Sequence, residues 1–72
     1  MITLPIIQER LVEAIKQSNL SQTELAKRIG VTQPTVSQYL SGRALPALDT
    51  FARLCQVLDV PSDYLLGISD SY

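Results

Sequence analysis

The segment from residue 21 to residue 42 constrains the fold of this 72-residue chain more than any other, because it holds two helix starts separated by a glycine. Ser21, followed three residues later by Glu24, forms a capping box that opens a helix. Thr32 supplies a second N-cap further along. Gly30 lies between the two, where a left-handed helix end costs glycine little. The segment therefore predicts two short helices joined by a tight turn.

The apolar residues of these two helices are spaced so that each helix has one inward side. The inward residues are Leu25, Ala26 and Ile29 on the first of the pair and Val36 and Tyr39 on the second. Ala26 is small at the point where the two helices would cross. A pair of this kind is a helix-turn-helix, whose second helix is shaped to lie in the major groove of DNA.

Ahead of this pair, the sequence predicts a first helix that starts at a Thr3 cap with Pro5 in its opening turn. Five residues at helical spacing are expected to face inward: Ile7, Leu11, Ala14, Ile15 and Ser18. The polar residues between them are expected to face solvent: Glu9, Arg10, Glu13, Lys16 and Gln17. Ser18 and Asn19 are expected to end the helix.

After the pair, a loop marked by glycine and proline precedes a fourth helix that begins near Ala47. Its predicted inward stripe is Leu48, Phe51, Leu54, Cys55 and Leu58. A short fifth helix is expected to open at Pro61 or Ser62 and to end at Gly67. No alternating strand pattern occurs, so the fold class is expected to be all-α.

The cysteine and histidine content argues against several classes of function. Cys55 is the only cysteine and histidine is absent, so no internal disulfide can form and no metal site is expected. Without histidine, the usual base for a nucleophile is missing, and no glycine-rich phosphate loop is present. We therefore expect no enzyme activity and no cofactor. Cys55 is expected to face the core on the same stripe as Phe51 and Leu58.

Hydrophobic residues make up 46% of the chain, which suits a small helical bundle. No apolar run reaches the roughly 18 residues of a membrane span. The N-terminus lacks the basic region of a signal peptide. We therefore expect a cytoplasmic location and no membrane partner.

The net charge of −1 is unusual for a nucleic-acid-binding chain, but the charges are unevenly distributed. Residues 1–48 hold five lysines and arginines against three glutamates, a net +2. Residues 49–72 hold one arginine against four aspartates, a net −3. The acidic surplus therefore lies away from the helix pair. Because amides, hydroxyls and helix ends also hold phosphates, a modest electrostatic attraction to DNA is expected.

Several stretches resemble the DNA-binding domain of phage repressor and Cro proteins, the XRE-type helix-turn-helix family. They are Leu20–Ala26, Ile29–Gln33, Val36–Tyr39, Ser41–Arg43 and Val60–Gly67, the last of which resembles the family's fifth helix. The resemblance runs from about Ile7 to Gly67. It implies a compact five-helix, lambda-repressor-like domain with its helix-turn-helix at about 21–40. We accordingly expect a DNA-binding domain over 1–67, followed by a tail or the start of a linker over 68–72.

The third helix, over about residues 33–40, is expected to present four base-reading residues: Gln33, Pro34, Ser37 and Gln38. The amide of Gln33 can pair with adenine N6 and N7 together, and the resemblance implies a base contact here; alternatively, Gln33 only favours a helix start. Pro34 either contacts a thymine methyl or stabilises the first turn. Gln38 is a second base reader, and Ser37 carries a hydroxyl suited to bases or phosphate.

Five further residues are expected to contact the DNA backbone: Gln22, Thr35, Ser41, Gly42 and Arg43. Gln22 starts the second helix, which in the family abuts the DNA backbone, and free N–H groups at that helix end favour a phosphate. The stretch Ser41–Arg43 resembles the family's second backbone clamp, and Arg43 is the only cation near it. Thr35 offers a hydroxyl to a phosphate, or is a solvated helix residue.

The sequence therefore favours specific binding of double-stranded DNA for transcriptional regulation, with repression preferred. The alternative is a protein-interaction module of the same fold, such as an antitoxin or a partner-binding regulator domain, which the acidic C-terminal third and the apolar Met1–Ile7 arm favour. One third helix reads only a few base pairs, so we expect a weak or DNA-assisted homodimer on a pseudo-palindromic operator. The expected contact is the region of the fifth helix, or alternatively the N-terminal arm.

Overall fold

The computed structural model describes residues 2–71, and all regular structure in this range is helical. Five helices follow one another: α1 over Leu4–Gln17, α2 over Gln22–Ile29, α3 over Gln33–Ser41, α4 over Leu48–Leu58 and α5 over Ser62–Leu65. The predicted all-α, five-helix architecture is confirmed. Helices α2 and α3 pack against each other as the helix-turn-helix, and α1 packs against α3 and α5. Within the described range, no helix is both long and apolar enough to cross a membrane.

Helices α1 and α2 begin at their predicted caps. Thr3 Oγ1 accepts a hydrogen bond from the backbone N–H of Ile6 at 3.4 Å, and Ser21 Oγ accepts one from that of Glu24 at 3.0 Å. Each bond satisfies an N–H group that a helix start would otherwise leave without a partner. The Glu24 side chain differs from the capping-box prediction, because its carboxylate accepts a hydrogen bond from Arg28 Nε at 3.2 Å.

The hydrophobic core lies between the helix-turn-helix and the helices that flank it. Its main cluster consists of Leu11, Ile15, Leu25, Ala26, Ile29, Val36, Tyr39 and Leu54. A second cluster consists of Ala14, Val60 and Leu65, with Phe51, Cys55, Leu58 and Tyr64 packed against it. The inward sides predicted for α2 and α3 are therefore confirmed. On α1 the prediction holds for three residues, whereas Ile7 and Ser18 are only half-buried.

The inward stripe predicted for α4 is wrong at its first residue. Leu48 is 87% exposed, whereas Leu54, further along the helix, is fully buried. Thr50, which the stripe did not include, is buried. Leu48 and Asp49 are both exposed, so burial on α4 begins only at its third residue. Helical spacing within α4 does not show where the neighbouring helices stop covering it, so the predicted stripe began too early.

Arg10 also differs from its prediction, because it does not simply face solvent. Its Nη1 donates hydrogen bonds to the backbone carbonyl of Tyr64 at 2.6 Å and to that of Ser69 at 2.8 Å. The guanidinium also lies over the Tyr64 ring, 4.3 Å from the ring centroid, which is a cation–π contact. Arg10 therefore joins α1 to the turn that follows α5.

The ends of α1 and α5 are set by residues with positive φ. Ser18 is the C-cap of α1, and Asn19 follows in the left-handed conformation with φ of 62°. The helix therefore ends at the two residues that the sequence predicted. Helix α5 ends at Leu65, two residues before the predicted Gly67. Gly67, with φ of 79°, instead closes the turn after the helix.

Candidate nucleic-acid interface

The turn between α2 and α3 is fixed by one glycine and two hydrogen bonds. Gly30 caps α2 with φ of 77°, a left-handed conformation that glycine adopts without a Cβ clash. The N–H of Val31 donates to the carbonyl of Ala26 at 3.0 Å. From α4, Arg53 Nε donates to the carbonyl of Ile29 at 3.0 Å. The end of α2 is therefore held from two sides, and Arg53 is a support that the sequence analysis did not identify.

One side of α3 is buried and the other is exposed. Val36 is fully buried and Tyr39 is nearly so, and burial, together with the nearby Asp49 carboxylate, raises the pKa of the Tyr39 hydroxyl. The four predicted base-reading residues are all exposed: Gln33, Pro34, Ser37 and Gln38. Gln33 and Ser37 lie four residues apart, as do Pro34 and Gln38, and side chains at this spacing are neighbours on a helix surface. The structure thus places these four residues together on one surface, which we call the α3 face.

The first residues of α2 and α3 are joined through their side chains. Gln33 Nε2 donates a hydrogen bond to Oε1 of Gln22. Gln33 is exposed and Gln22 is half-buried. The bond leaves one N–H and the Oε1 of Gln33 available, which is the donor and acceptor pair that a bidentate adenine contact requires. A predicted base reader and a predicted phosphate contact are therefore direct neighbours.

Thr32 and Thr35 form a second side-chain pair at the start of α3. Thr32 Oγ1 accepts a hydrogen bond from the Thr35 backbone N–H at 3.4 Å, so the predicted cap of α3 is confirmed. The two hydroxyl oxygens lie 2.9 Å apart. Because a hydroxyl has one donor and two acceptor sites, that of Thr35 keeps hydrogen-bonding capacity beyond this pair.

The predicted backbone clamp, residues 41–43, directly follows the α3 face and is exposed. Gly42 caps α3 with φ of 77°, and its carbonyl accepts a hydrogen bond from Gln8 Nε2 of α1 at 3.3 Å. The backbone N–H of Arg43 donates to the carbonyl of Gln38 at 3.0 Å. Helix α1 thus holds the clamp through Gln8, another support that the sequence analysis did not identify.

Positive charge around this surface is limited. Three exposed cations are found on α2 and the clamp: Lys27, Arg28 and Arg43. Arg28 forms an ion pair with Glu24 at 3.2 Å, which neutralises part of its charge. Arg10 and Arg53 donate to backbone carbonyls elsewhere in the domain. The surface therefore offers many hydrogen-bonding groups and few charges.

Possible metal ligands and the Cys55 thiol are the remaining chemically reactive groups to be placed in the structure. Within residues 2–71, no group of three or more His, Cys, Asp and Glu side chains is placed to hold a metal ion. Cys55 is half-buried against the second core cluster, and burial raises the pKa of its thiol. A neutral thiol is a weak nucleophile. The exposed polar groups of the α3 face and the clamp are mainly amides and hydroxyls, which form hydrogen bonds.

Known proteins similar to this chain include transcriptional regulators and an antitoxin. The profile of the helix-turn-helix family matches residues 11–65. The chain is 31% identical over 61 residues to the CTXphi transcriptional repressor RstR of Vibrio cholerae. The aligned region covers 85% of this chain and 54% of RstR. It is also 46% identical over 54 residues to the antitoxin HigA1 of Mycobacterium tuberculosis. That aligned region covers 69% of this chain and 36% of HigA1. The chain spans about half or less of the length of these relatives.

Its fold is similar to that of the P22 c2 repressor protein, solved in complex with the synthetic operator 9T. The TM-score is 0.74 at 28% sequence identity, and the match covers 85% of this chain and 92% of that one. The family profile spans both helices of the pair together with the second half of α1, all of α4 and all of α5. The chain therefore belongs to the XRE-type helix-turn-helix family of phage-repressor-like DNA-binding domains.

Proposed function

We propose that this chain binds double-stranded DNA sequence-specifically and regulates transcription, with repression as the preferred mode, by placing α3 in the major groove. The observation that carries the proposal is the α3 face, where four side chains able to contact base edges are exposed together while the other side of the helix is buried. The similarity in fold to a repressor solved with its operator supports this use of the surface.

On the α3 face, each residue is assigned a contact that its chemistry allows. Gln33 pairs with the N6 and N7 atoms of an adenine, using the N–H and the oxygen that its bond to Gln22 leaves free. The ring of Pro34, which has no donor, packs against a thymine methyl. Gln38 reads a second base further along the groove. Ser37 donates or accepts through its hydroxyl, to a base edge or to a phosphate.

The DNA backbone is held at both ends of α3. At the first end, Gln22 and the free N–H groups that begin α2 bind one phosphate, and the hydroxyl of Thr35 contacts the backbone nearby. At the other end, the clamp of residues 41–43 binds a second phosphate, with Arg43 providing the charge. Because so few cations are involved, the affinity depends on salt less steeply than in strongly basic DNA-binding proteins.

Specific recognition is proposed to involve two copies. One α3 face contacts only a few base pairs, which is too little information to select a site in a genome. A symmetric pair doubles the contacts and requires a pseudo-palindromic operator with half-sites about 10 base pairs apart. We propose that the free domain is mainly monomeric and that it pairs on DNA. The place of action is the cytoplasm, where the operator would be found.

A second candidate function is that of an antitoxin or other adaptor, which binds a protein partner through the same fold. The observation that favours it is the 46% identity to the antitoxin HigA1. The two functions make different predictions for duplex DNA alone. A repressor binds it without help, whereas a domain that serves only as an adaptor does not.

The experiment that separates them is a titration of the chain into a fluorescently labelled duplex of random sequence, at about 50 mM and about 200 mM salt. The proposed function predicts saturable binding that weakens at the higher salt, and weaker binding to single strands of the same sequence. No binding to the duplex at either salt would contradict the proposal and favour the adaptor.

A further inference from the structure

The peptide group between Gly42 and Arg43 is hydrogen-bonded at both its carbonyl and its N–H. The carbonyl, which belongs to Gly42, accepts a hydrogen bond from Gln8 Nε2 at 3.3 Å. The N–H, which belongs to Arg43, donates to the carbonyl of Gln38 at 3.0 Å. Because a trans peptide group is planar, its carbonyl and its N–H point in opposite directions. The two bonds therefore fix the rotation of this group between α1 and the end of α3.

Gly42 gives the backbone of the clamp more rotational freedom than another residue would. Its φ of 77° lies in the left-handed region, and it has no side chain to restrict its conformation. A Cβ at this position would lie 3.9 Å from Gln8 Nε2, so the end of the Gln8 side chain is close to the backbone here. The bond from Gln8 thus supplies a restraint at a residue that has little restraint of its own.

The direction in which the Arg43 side chain leaves the backbone depends on this peptide group. Arg43 is exposed, and within the described residues 2–71 its guanidinium forms no hydrogen bond or ion pair. Its side chain is therefore positioned only by the backbone that carries it. A rotation of the peptide group changes φ of Arg43 and, with it, the region that the guanidinium can reach.

We propose that Gln8 is a positioning residue for the phosphate contact of Arg43, an inference that rests on the proposed function. Gln8 holds the Gly42–Arg43 peptide group from α1, so the clamp is already ordered before DNA arrives. A restraint that is present in the free domain reduces the conformational entropy lost on binding. Because the contact is to a phosphate, Gln8 affects binding to all DNA sequences alike.

The charge around Gln8 favours this indirect role over a phosphate contact of its own. Gln8 is half-buried, and it lines an open groove of about 480 Å³ between α1 and the end of α3, together with Gly42. The charged residues that line this groove are Glu9, Glu13 and Lys16, so its net charge is negative. A negative groove repels a phosphate that approaches the Gln8 amide.

The first test uses the free protein. Gln8→Met removes the amide donor but keeps an unbranched side chain of good helix propensity. The matched control is Gln17→Met, because the amide of Gln17 donates to Glu13 of the same helix at 3.1 Å and not to the clamp. Backbone amide NMR relaxation is expected to show a lower order parameter at Arg43 in Gln8→Met and an unchanged one in Gln17→Met, with similar Tm values.

The second test is a double-variant cycle on DNA, measured by fluorescence anisotropy. Gln8→Met is expected to weaken binding to selected and random duplexes alike, by about fivefold, because one hydrogen bond is lost. Gln17→Met is expected to leave both affinities unchanged. If Gln8 acts through Arg43, the Gln8→Met substitution costs less than about twofold in an Arg43→Ala background, since the contact that it positions is already gone.

Three results would overturn the inference. The first is an unchanged order parameter at Arg43 in Gln8→Met, and the second is an equal effect of Gln8→Met and Gln17→Met on affinity. The third is an undiminished loss from Gln8→Met in the Arg43→Ala background, which would mean that Gln8 contacts DNA itself. A wild-type chain that binds no duplex contradicts the proposed function, and the inference falls with it. A wild-type chain that binds duplex DNA while Gln8→Met changes nothing contradicts the inference alone.

Discussion

The side-chain amide of Gln33 donates a hydrogen bond to the side-chain oxygen of Gln22, so the first residue of α3 and the first residue of α2 hold each other. A glutamine that is already oriented loses less rotamer freedom when it binds a base. The same bond links the proposed base contact of Gln33 to the proposed backbone contact of Gln22. If both contacts form, base recognition by Gln33 and phosphate binding by Gln22 are coupled through this bond.

Replacing Gln33 by alanine is expected to cost about 1–3 kcal/mol on the selected duplex and to relax specificity at one base pair. Gln22→Ala is expected to weaken selected and random duplexes to a similar extent, because it removes a phosphate contact. Since the two side chains interact, the cost of the double variant should differ from the sum of the two single costs. Fluorescence anisotropy on selected, single-base-changed and random duplexes measures these effects. Equal losses for Gln33→Ala on selected and random duplexes would show that Gln33 only supports the helix.

Arg43→Ala is expected to weaken binding to all duplexes similarly, because a phosphate contact carries no sequence information. It should flatten the slope of log affinity against log salt by roughly one unit, since one counterion fewer is released. The matched control is Lys27→Ala, which removes an exposed cation of α2 outside the clamp. A slope that does not change in Arg43→Ala, or that changes equally in Lys27→Ala, would remove Arg43 from the clamp.

The parts of the fold predicted correctly from sequence depend on residues close together in the chain. Thr3, Ser21 and Thr32 were identified as caps because a cap and the N–H that it satisfies lie three residues apart. The glycine at the turn was identifiable for the same reason, since its left-handed conformation is a local property. Helical spacing also identified the buried sides of α2 and α3, and with them the exposed α3 face.

The parts that sequence did not predict depend on residues far apart in the chain. Arg10 contacts carbonyls 54 and 59 residues away, and spacing within α1 contains no information about them. Gln8 and Arg53 support the site across 34 and 24 residues. The exposure of Leu48 depends on where the neighbouring helices end, which a stripe within α4 does not reveal.

Arg10→Met is expected to destabilise the domain by about 1–3 kcal/mol, because it removes two hydrogen bonds and a cation–π contact while the carbonyls of Tyr64 and Ser69 lose a donor. Urea unfolding measures the change. The control is Lys16→Met on the same helix, whose side chain is exposed and should change stability little. Equal effects of the two substitutions would show that the Arg10 contacts contribute nothing specific.

The Cys55 thiol is expected to react slowly in the folded protein. Burial raises its pKa, so at a given pH less thiolate is present than in the unfolded chain. The shift stabilises the fold below the unfolded-state pKa, and this contribution is lost as the pH rises through the folded-state pKa. Alkylation by iodoacetamide, followed against pH with and without urea, should show the folded profile displaced to higher pH. Coincident profiles would mean that the thiol is not protected.

The central claim, that the α3 face reads DNA sequence, is tested most directly by selecting bound sequences from a random duplex library with the wild-type chain. The claim predicts an enriched pseudo-palindrome whose half-sites are about 10 base pairs apart, with an adenine at the position that Gln33→Ala ceases to select. A bound pool with no sequence in common, obtained from a chain that does bind duplex DNA, would contradict the claim.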